Sequence, residues 1–365
     1  MPSEPRKSPL DQAHRAAGAK FTDFGGWWLP LRFGSELAEH HAVRQAAGLF
    51  DLSHMAQFEV TGPGSGEGLD YALSGSHSTM PTGRASYSML LTEDGGVVDD
   101  LIVYRLAADR FFIIANAANR EIVAAELSRR LTAFEARLTD VTLARALIAV
   151  QGPRALDIML AAGLDAAADL GYYRAVEASL DGLPVILART GYTGEDGFEI
   201  SCAKAAGLDL WQLLRRVGAE FGLVPAGLAA RDSLRLEAAM PLHGHELDRT
   251  TTPIEGGQGA FVRDKPGDFV GKAALAARPP AKRLVGLVGQ GRRAARAGYS
   301  VLVGGQVRGQ VTSGALSPTL GHPIALASID GPALAVGTPV EVDIRGSLTP
   351  FRVAELPFYT KEKTR

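Results

Sequence analysis

Cysteine is almost absent from this chain of 365 residues, which contains only Cys202. A single cysteine can form neither an internal disulfide nor a cysteine-cluster metal site. The first ten residues include Arg6 and Lys7 but have no apolar core, so they lack the form of a signal peptide. No stretch reaches the roughly 20 apolar residues that a membrane-spanning helix requires. These absences favour a cytoplasmic enzyme or binding protein.

An excess of charge of either sign is also lacking. The chain has 38 lysines and arginines against 40 acidic residues, a formal net charge of −2. This balance gives no global reason to expect a nucleic-acid partner. Apolar residues make up 46% and charged residues 21%, as in an ordinary globular protein. The length favours two or three domains with substantial cores.

The pattern of predicted elements indicates an α+β protein. Up to about residue 240, strands and helices mix without the regular alternation of a doubly wound sheet. Arg263 to Arg283 contains several prolines and glycines and is interpreted as a linker. Beyond it, short β-rich runs are separated by glycines, which is typical of a small antiparallel barrel or sandwich.

Two tempting site motifs are better explained as structural. The glycines between Gly62 and Gly68 are not followed by the Gly-Lys-Ser/Thr of a phosphate loop. His243 and His245 lie two residues apart and could share a face, but no third ligand stands at motif spacing. We therefore expect neither a nucleotide nor a metal ion.

A predicted hairpin places two adjacent carboxylates near the start of an apolar strand. Asp94-Gly95-Gly96 is a turn signal between two apolar runs, Tyr87 to Leu91 and Val97 to Leu106. Side chains alternate across a strand, so Asp99 and Asp100 must point in opposite directions. Asp100 shares its face with Tyr104 and is the better candidate for catalysis. The alternative is that both acids are simply solvated near the turn.

Glu199 and Arg231 form a second candidate group. Glu199 lies in a short predicted strand between Phe198 and Ile200, and Arg231 lies on a helix after Gly227. Separately they are interpretable as a solvent-facing acid and a surface ion-pair former. Together, a buried Glu and Arg could bind a flat heterocycle, because guanidinium is a planar fork of donors.

Several motifs occur in the order found in one enzyme family. The chain resembles the aminomethyltransferases, the T-proteins of the glycine cleavage system, from about residue 9 to Tyr359. The motifs that carry the resemblance are Gly25-Gly26-Trp27, Phe50-Asp51-Leu52-Ser53-His54-Met55, Gly95 to Tyr104, Gly191 to Ile200, Gly227 to Glu237, Thr251-Thr252-Pro253-Ile254-Glu255 and Ser317-Pro318-Thr319-Leu320-Gly321.

The resemblance implies a three-domain, cloverleaf-like α+β architecture with tetrahydrofolate in a central opening. Residues 1–270 would form the folate-binding region, built from two intertwined α+β domains, and residues 280–365 a C-terminal antiparallel β-barrel. The implied reaction moves the aminomethyl carbon from the lipoyl arm of the H-protein to tetrahydrofolate. Its products are 5,10-methylenetetrahydrofolate, ammonia and the dihydrolipoyl H-protein. Which group leaves first stays open.

The resemblance also implies roles for individual residues. Asp100 corresponds to the family's catalytic acid, and Glu199 and Arg231 to its pterin-binding acid and arginine. The other positions implied to line the folate site are Tyr87, Tyr104, Tyr192, Met55, Asn116 and Tyr359.

Two alternative functions stay open at this point. One is a tetrahydrofolate-dependent demethylase acting on a small methylamine or sulfonium compound. The other is a non-enzymatic folate-binding factor for iron–sulphur assembly. Members of that second group have a Lys-Gly-Cys-x-x-Gly-Gln-Glu signature, which is absent around Cys202.

Overall fold

The computed structural model describes residues 4–262 and 265–361. The chain divides into two compact units. The first contains the residues up to Ser88 and then Leu101–Arg231, and the second contains Met89–Asp100 and the residues from Asp232 onward. The chain therefore passes from the first unit to the second and back within one hairpin.

The α-helices of the described residues are α1 (Asp11–Ala16), α2 (Glu36–Gln45), α3 (Ser65–Ala72), α4 (Arg120–Leu131), α5 (Ala155–Ala161), α6 (Gly207–Gly218), α7 (Leu228–Glu237) and α8 (Lys272–Ala277). Short 3-10 helices lie at Ala117–Asn119, Thr142–Ala144, Asp165–Ala167, Lys204–Ala206, Ala219–Phe221 and Gly259–Phe261. Ser35 caps helix α2, since its side chain accepts a hydrogen bond from the backbone N–H of Ala38.

The strands are β1 (Arg6–Lys7), β2 (Lys20–Phe24), β3 (Trp27–Arg32), β4 (Ala47–Asp51), β5 (Ala56–Thr61), β6 (Ala85–Leu91), β7 (Val97–Ala107), β8 (Arg110–Ala115), β9 (Arg137–Asp140), β10 (Arg145–Gln151), β11 (Ala175–Leu180), β12 (Leu183–Ala188), β13 (Gly197–Ala203), β14 (Leu223–Pro225), β15 (Lys282–Gly289), β16 (Ser300–Val303), β17 (Gln306–Leu316), β18 (Pro323–Asp330), β19 (Pro339–Ile344) and β20 (Ser347–Ala354).

The six-stranded sheet of the first unit has the order β11-β12-β13-β10-β4-β14. Its central strand β10 is an apolar run buried along most of its length, as expected for a strand covered on both faces. Helix α6 buries Leu210, Trp211 and Leu214 in the core beside this sheet. This helical region ends at Gly222, which adopts the left-handed conformation with φ +77°.

Two smaller sheets are formed by strands that lie between residues 6 and 140 of the chain. Strands β1-β3-β2 form a three-stranded sheet, in which β1 runs parallel to β3 and pairs Arg6 with Trp27. Strands β6-β7-β8-β5-β9 form a five-stranded sheet, so the predicted hairpin of β6 and β7 is confirmed.

The second unit contains a closed barrel of strands β15-β18-β17-β16-β19-β20. Its neighbouring strands pair antiparallel, and alternate residues such as Val301, Val342 and Phe351 fill the interior. The predicted mixture of α and β structure with a C-terminal antiparallel barrel is confirmed.

The predicted linker contains a helix that the sequence reading missed. Residues Lys272–Ala277 form α8, because four alanines and a leucine favour a helix despite the nearby prolines. Arg263 and Asp264, at the start of that predicted linker, lie outside the described residues. None of the helices in the described ranges has the length and apolar character needed to cross a membrane.

Candidate functional site

Glu199 is a buried carboxylate in the middle of the six-stranded sheet. It lies on β13 opposite Ala149 of β10 and Ala188 of β12, and its residue surface is 9% exposed. Its Oε2 accepts hydrogen bonds from Thr190 Oγ1 at 2.5 Å and from Tyr104 Oη at 3.3 Å. Oε1 accepts none from the described residues, and Glu199 forms no salt bridge with any of them. The interpretation of Glu199 as a solvent-facing acid is wrong, and one oxygen remains available to a ligand donor.

Tyr104 supplies a neutral hydroxyl to this carboxylate. Burial raises its pKa well above the ordinary value, and the negative charge of Glu199 raises it further. The pKa of Tyr173 is raised in the same way by burial, by Tyr172 and by Glu199. Both phenols therefore stay protonated around neutral pH, and Tyr104 acts as a hydrogen-bond donor.

Arg231 lies in the first turn of α7 and stacks on an aromatic ring. Its guanidinium carbon is 4.6 Å from the centroid of the Tyr192 ring, so the two site candidates are in contact. The helix begins after Gly227, where a Cβ atom would lie 2.4 Å from the carbonyl oxygen of Leu31, so only glycine fits there. Arg231 lines a small cavity together with Leu29, Pro30, Phe33, Asp51 and Gly227. The guanidinium is a planar fork of donors, which suits acceptors on the edge of a planar ligand.

His54 contributes to the electrostatics near Arg231. The residue is buried, and burial together with the charge of Arg231 lowers its pKa to about 4, although Asp51 acts in the opposite direction. His54 is therefore neutral at pH 7.

Asp51 anchors the turn that follows β4. Its Oδ2 accepts hydrogen bonds from Ser8 Oγ and from Nε2 of His14 (2.7 Å), and its Oδ1 accepts one from the Ser53 backbone N–H (2.9 Å). Burial alone would raise the pKa of Asp51, but these donors outweigh it and hold the pKa below the ordinary value. In the turn after Asp51, the backbone N–H of Met55 donates a hydrogen bond to Leu52 O (2.9 Å). Met55 is half-buried.

The loop from Gly191 to Gly197 joins the two candidate groups. It follows β12, and Tyr192 and Thr190 stand at its start. Gln151 holds the first part of the loop, because its Nε2 donates to Thr190 O (3.0 Å) and its Oε1 accepts from Thr193 Oγ1 (3.0 Å). Arg44 of α2 donates to Thr193 O (2.7 Å) and to Glu195 (2.9 Å) in a nearly fully buried ion pair. A continuous polar network therefore fixes the loop between Glu199 and Tyr192.

The adjacent acids of the hairpin differ in burial, as alternation predicts. Asp99 is fully buried, whereas Asp100 is partly exposed. The alternative that both acids are solvated is therefore wrong for Asp99. Gly95 supports the turn with φ +83°, and the Thr92 hydroxyl accepts a hydrogen bond from the Gly96 N–H (2.9 Å). Both acids belong to the second unit.

The remaining candidates are distributed over both units. Tyr87 on β6 and Asn116 just after β8 are half-buried residues of the first unit. Tyr359 belongs to the second unit, where its N–H donates to the carbonyl of Glu237 at the end of α7 (2.8 Å).

The histidine pair considered as a metal site has protein partners. A ring nitrogen of His243 lies 3.4 Å from Val97 O, and Nδ1 of His245 lies 2.8 Å from Thr312 O. Over residues 4–262 and 265–361, no group of three or more histidine, cysteine or acidic residues is placed to hold a metal ion.

Family profiles account for almost the whole chain. The profile described as the GCVT N-terminal domain matches residues 10–265, and that described as the glycine cleavage T-protein C-terminal barrel domain matches residues 282–360. The chain belongs to the glycine cleavage T-protein family. The resemblance drawn from its motifs is thereby confirmed.

Individual members of the T-protein family match over their full lengths. An aminomethyltransferase of Cutibacterium acnes is 51% identical, covering 98% of this chain and 99% of that protein. One of Saccharopolyspora erythraea is 52% identical with the same coverage. The crystal structure of glycine cleavage system aminomethyltransferase T from Bartonella henselae matches with a TM-score of 0.91 and 37% identity, covering 97% of this chain and 98% of that one.

The sequence reading missed some polar residues in this T-protein chain. Thr190 donates the short hydrogen bond to Glu199, and Arg44 and Gln151 hold the loop that carries Tyr192. Position in the Gly191-to-Ile200 motif could have pointed to Thr190, which directly precedes it. Nothing local could have indicated Arg44, since its partner Glu195 is 151 residues away.

Proposed function

We propose that this chain transfers the aminomethyl carbon of the lipoylated H-protein to tetrahydrofolate in glycine cleavage. The identity of about 50% with named aminomethyltransferases over the full chain supports this function. Within the structure, the buried Glu199 with its available Oε1 is the observation that carries it. A tetrahydropterin presents N–H donors on one edge, which is the chemistry that a buried carboxylate acceptor satisfies.

The proposed reaction breaks the C–N and C–S bonds of the aminomethyl thioether and forms two C–N bonds to N5 and N10 of tetrahydrofolate. Two protons leave these nitrogens, while ammonia and the lipoyl thiol each gain one. We assign the general-base role to Asp100, the partly exposed acid of the pair, because a carboxylate can accept a proton from an attacking amine. The protein otherwise acts by orienting the two reactants.

We assign the pterin-binding role to Glu199 and Arg231. Glu199 accepts from the ring edge, and Tyr104 and Thr190 hold the carboxylate in place. Arg231 meets the ligand from the first turn of α7, with its guanidinium plane supported by Tyr192. Tyr87, Met55, Asn116 and Tyr359 are proposed as further contacts of the folate.

The proposed partners are lipoylated H-protein and tetrahydrofolate, without nucleic acid, membrane, metal ion or nucleotide. A cytoplasmic location is proposed because the named relatives are bacterial enzymes and because the single cysteine, Cys202, is buried and unbridged. The demethylase and iron–sulphur alternatives are not favoured, since full-length relatives named aminomethyltransferase carry neither description.

The test is formation of methylenetetrahydrofolate from aminomethylated H-protein and tetrahydrofolate. We expect turnover that requires both substrates. Methylation of tetrahydrofolate by a free methylamine or sulfonium compound, with no use of H-protein, would instead favour a demethylase.

A binding measurement tests the assigned pterin contacts. Arg231→Ala should weaken tetrahydrofolate binding by about one to two decades, because a charge-assisted hydrogen bond contributes roughly 1.5–3 kcal/mol. Arg215→Ala on the exposed face of α6 is the control and should bind normally. If calorimetry shows that the two variants bind tetrahydrofolate with equal affinity, Arg231 does not bind the pterin.

A further inference from the structure

A second cavity in the first unit is lined by basic residues. It has a volume of about 300 Å³, and its lining includes Arg6, Lys7, Arg145 and Lys204. No acidic residue lines it, and it shares no lining residue with the cavity at Arg231. The function proposed above gives this cavity no role.

Strand pairing brings these distant residues together. The parallel pairing of β1 with β3 places Arg6 opposite Trp27, another lining residue. The antiparallel pairing of β10 with β13 places Arg145 opposite Ala203, so Lys204 follows directly beside it. The cluster is therefore held by two sheets of the fold and is not formed by one basic run of sequence.

Arg145 is half-buried without a carboxylate partner. Its Nε donates to Ser201 Oγ (2.8 Å) and its Nη2 to Ser201 O (3.1 Å), and its guanidinium lies over Phe112. No described carboxylate lies within ion-pair distance, which leaves the donors on Nη1 uncommitted. Burial lowers the pKa of Arg145, and the more distant charges of Glu59 and Glu177 offset this only in part.

Several other buried or half-buried arginines among the described residues do have carboxylate partners. Pairs of this kind are formed by Arg44 with Glu195, Arg120 with Asp140, Arg130 with Glu126, Arg189 with Asp196 and Arg235 with Glu246. Arg6, Lys7 and Lys204 likewise have no ion-pair partner among the described residues. A half-buried guanidinium together with three further cations therefore has no counter-charge within ion-pair distance among the described residues.

We propose that this cavity binds a compact oxyanion that carries at least two negative charges. A cavity of this size is at the small end of ligand sites and accommodates a phosphorylated or polycarboxylic small molecule. Arg145 supplies oriented donors from a partly desolvated position, and the exposed cations at the rim add attraction at longer range. This site does not depend on the folate chemistry proposed above.

The experiment titrates the full chain, without folate, with inorganic phosphate and separately with citrate at low ionic strength. Calorimetry should show saturable binding at one site for at least one of the two anions, and the preferred anion distinguishes phosphoryl from carboxylate recognition. Arg145→Gln should weaken that binding roughly tenfold or more, because it removes a charge-assisted contact. Lys204→Gln should weaken it less, because it removes only longer-range attraction. Arg215→Gln, on the exposed face of α6, should leave it unchanged.

Two results would overturn the proposal. One is the absence of saturable binding for both anions. The other is binding that persists equally in all three variants, which would indicate nonspecific counter-ion accumulation. Because Lys204 is exposed, its replacement should not perturb folding, and thermal unfolding monitored by circular dichroism checks Arg145→Gln.

Discussion

Asp99 and Asp100 show how a single step along a strand changes the burial of a carboxylate. Asp99 is fully buried on β7, whereas the neighbouring Asp100 is partly exposed and can meet a substrate. Asp100→Asn keeps the shape of the side chain but removes its ability to accept a proton. Turnover should therefore fall by about 10²–10⁴-fold, with tetrahydrofolate affinity much less affected.

Asp99→Asn is the comparison for this prediction. In the folded protein it should leave turnover within about tenfold, a barrier change near 1.4 kcal/mol, and act mainly on the melting temperature. Steady-state kinetics and thermal unfolding of both variants separate the two effects. An inactive Asp99→Asn beside an active Asp100→Asn would reverse the assignment.

His54 makes stability depend on pH through a single buried ring. Its pKa falls from 6.5 in the unfolded chain to about 4 in the folded protein, so the unfolded state binds more protons between these values. The full stability is present above pH 6.5 and is lost as the pH falls toward 4, by roughly 3 kcal/mol in total. Urea unfolding of wild type and of His54→Gln from pH 7 to pH 4 measures this loss of stability. The difference between the two free energies of unfolding isolates His54, because the other titrating groups are common to both proteins. Parallel stability curves would contradict the assignment.

At the scale of elements, the loop between β12 and β13 depends on a buried ion pair with α2. The side chains of Arg44 and Glu195 are 5% and 4% exposed, so removing one charge leaves the other buried and unpaired. Arg44→Met should therefore destabilise the protein by about 3–5 kcal/mol, and the double variant Arg44→Met/Glu195→Met should recover part of the loss. The KM for tetrahydrofolate should rise more than kcat falls, because the loop carries Tyr192 beneath Arg231.

The control for this prediction is the exposed pair of Arg110 and Glu177. Its side chains are 36% and 51% exposed, and such pairs contribute only about 0–1 kcal/mol. Arg110→Met should therefore change neither urea unfolding nor KM appreciably. If Arg44→Met behaves like Arg110→Met, the ion pair does not hold the loop.

Most elements followed from local patterns, and the failures have local causes. The turn at Gly95 and the serine cap of α2 are each specified by a short segment of sequence that contains both hydrogen-bonding partners. Helix α8 was missed because nearby prolines and glycines outweighed its alanines in the reading of the predicted linker. For Glu199 the sequence allowed both a solvent-facing and a buried position, because strand alternation cannot show that both faces of the sheet are covered.

At the scale of the whole molecule, each unit has its own hydrophobic cluster. The barrel of the second unit is filled by Val285, Leu287, Val301, Val342 and Phe351, among others. We propose a domain boundary between residues 270 and 280. The compact units divide the chain differently, because the second unit contains Met89–Asp100 and all residues from Asp232 onward.

Phe351 tests the importance of the barrel core. It is 4% exposed, and Phe351→Ala should destabilise the protein by about 3–5 kcal/mol through loss of burial and a residual cavity. Leu348 on the same strand is 51% exposed, so Leu348→Ala should have little effect. Chemical unfolding of both variants gives the comparison, and similar losses would argue against a packed barrel interior.

The sequence by itself determined the family, the mixed α and β class, the barrel and the identity of the main site candidates. Motifs and alternation are local, because a strand or turn is specified by residues close together in the chain. Only the tertiary structure decided that Thr190 and Tyr104 meet at Glu199, that Arg231 stacks on Tyr192, and that Arg145 is half-buried without an acid. The contacts at Glu199 join residues 9 and 95 positions apart. Burial and charge depend on such neighbours, which strand pairing across the whole chain brings together.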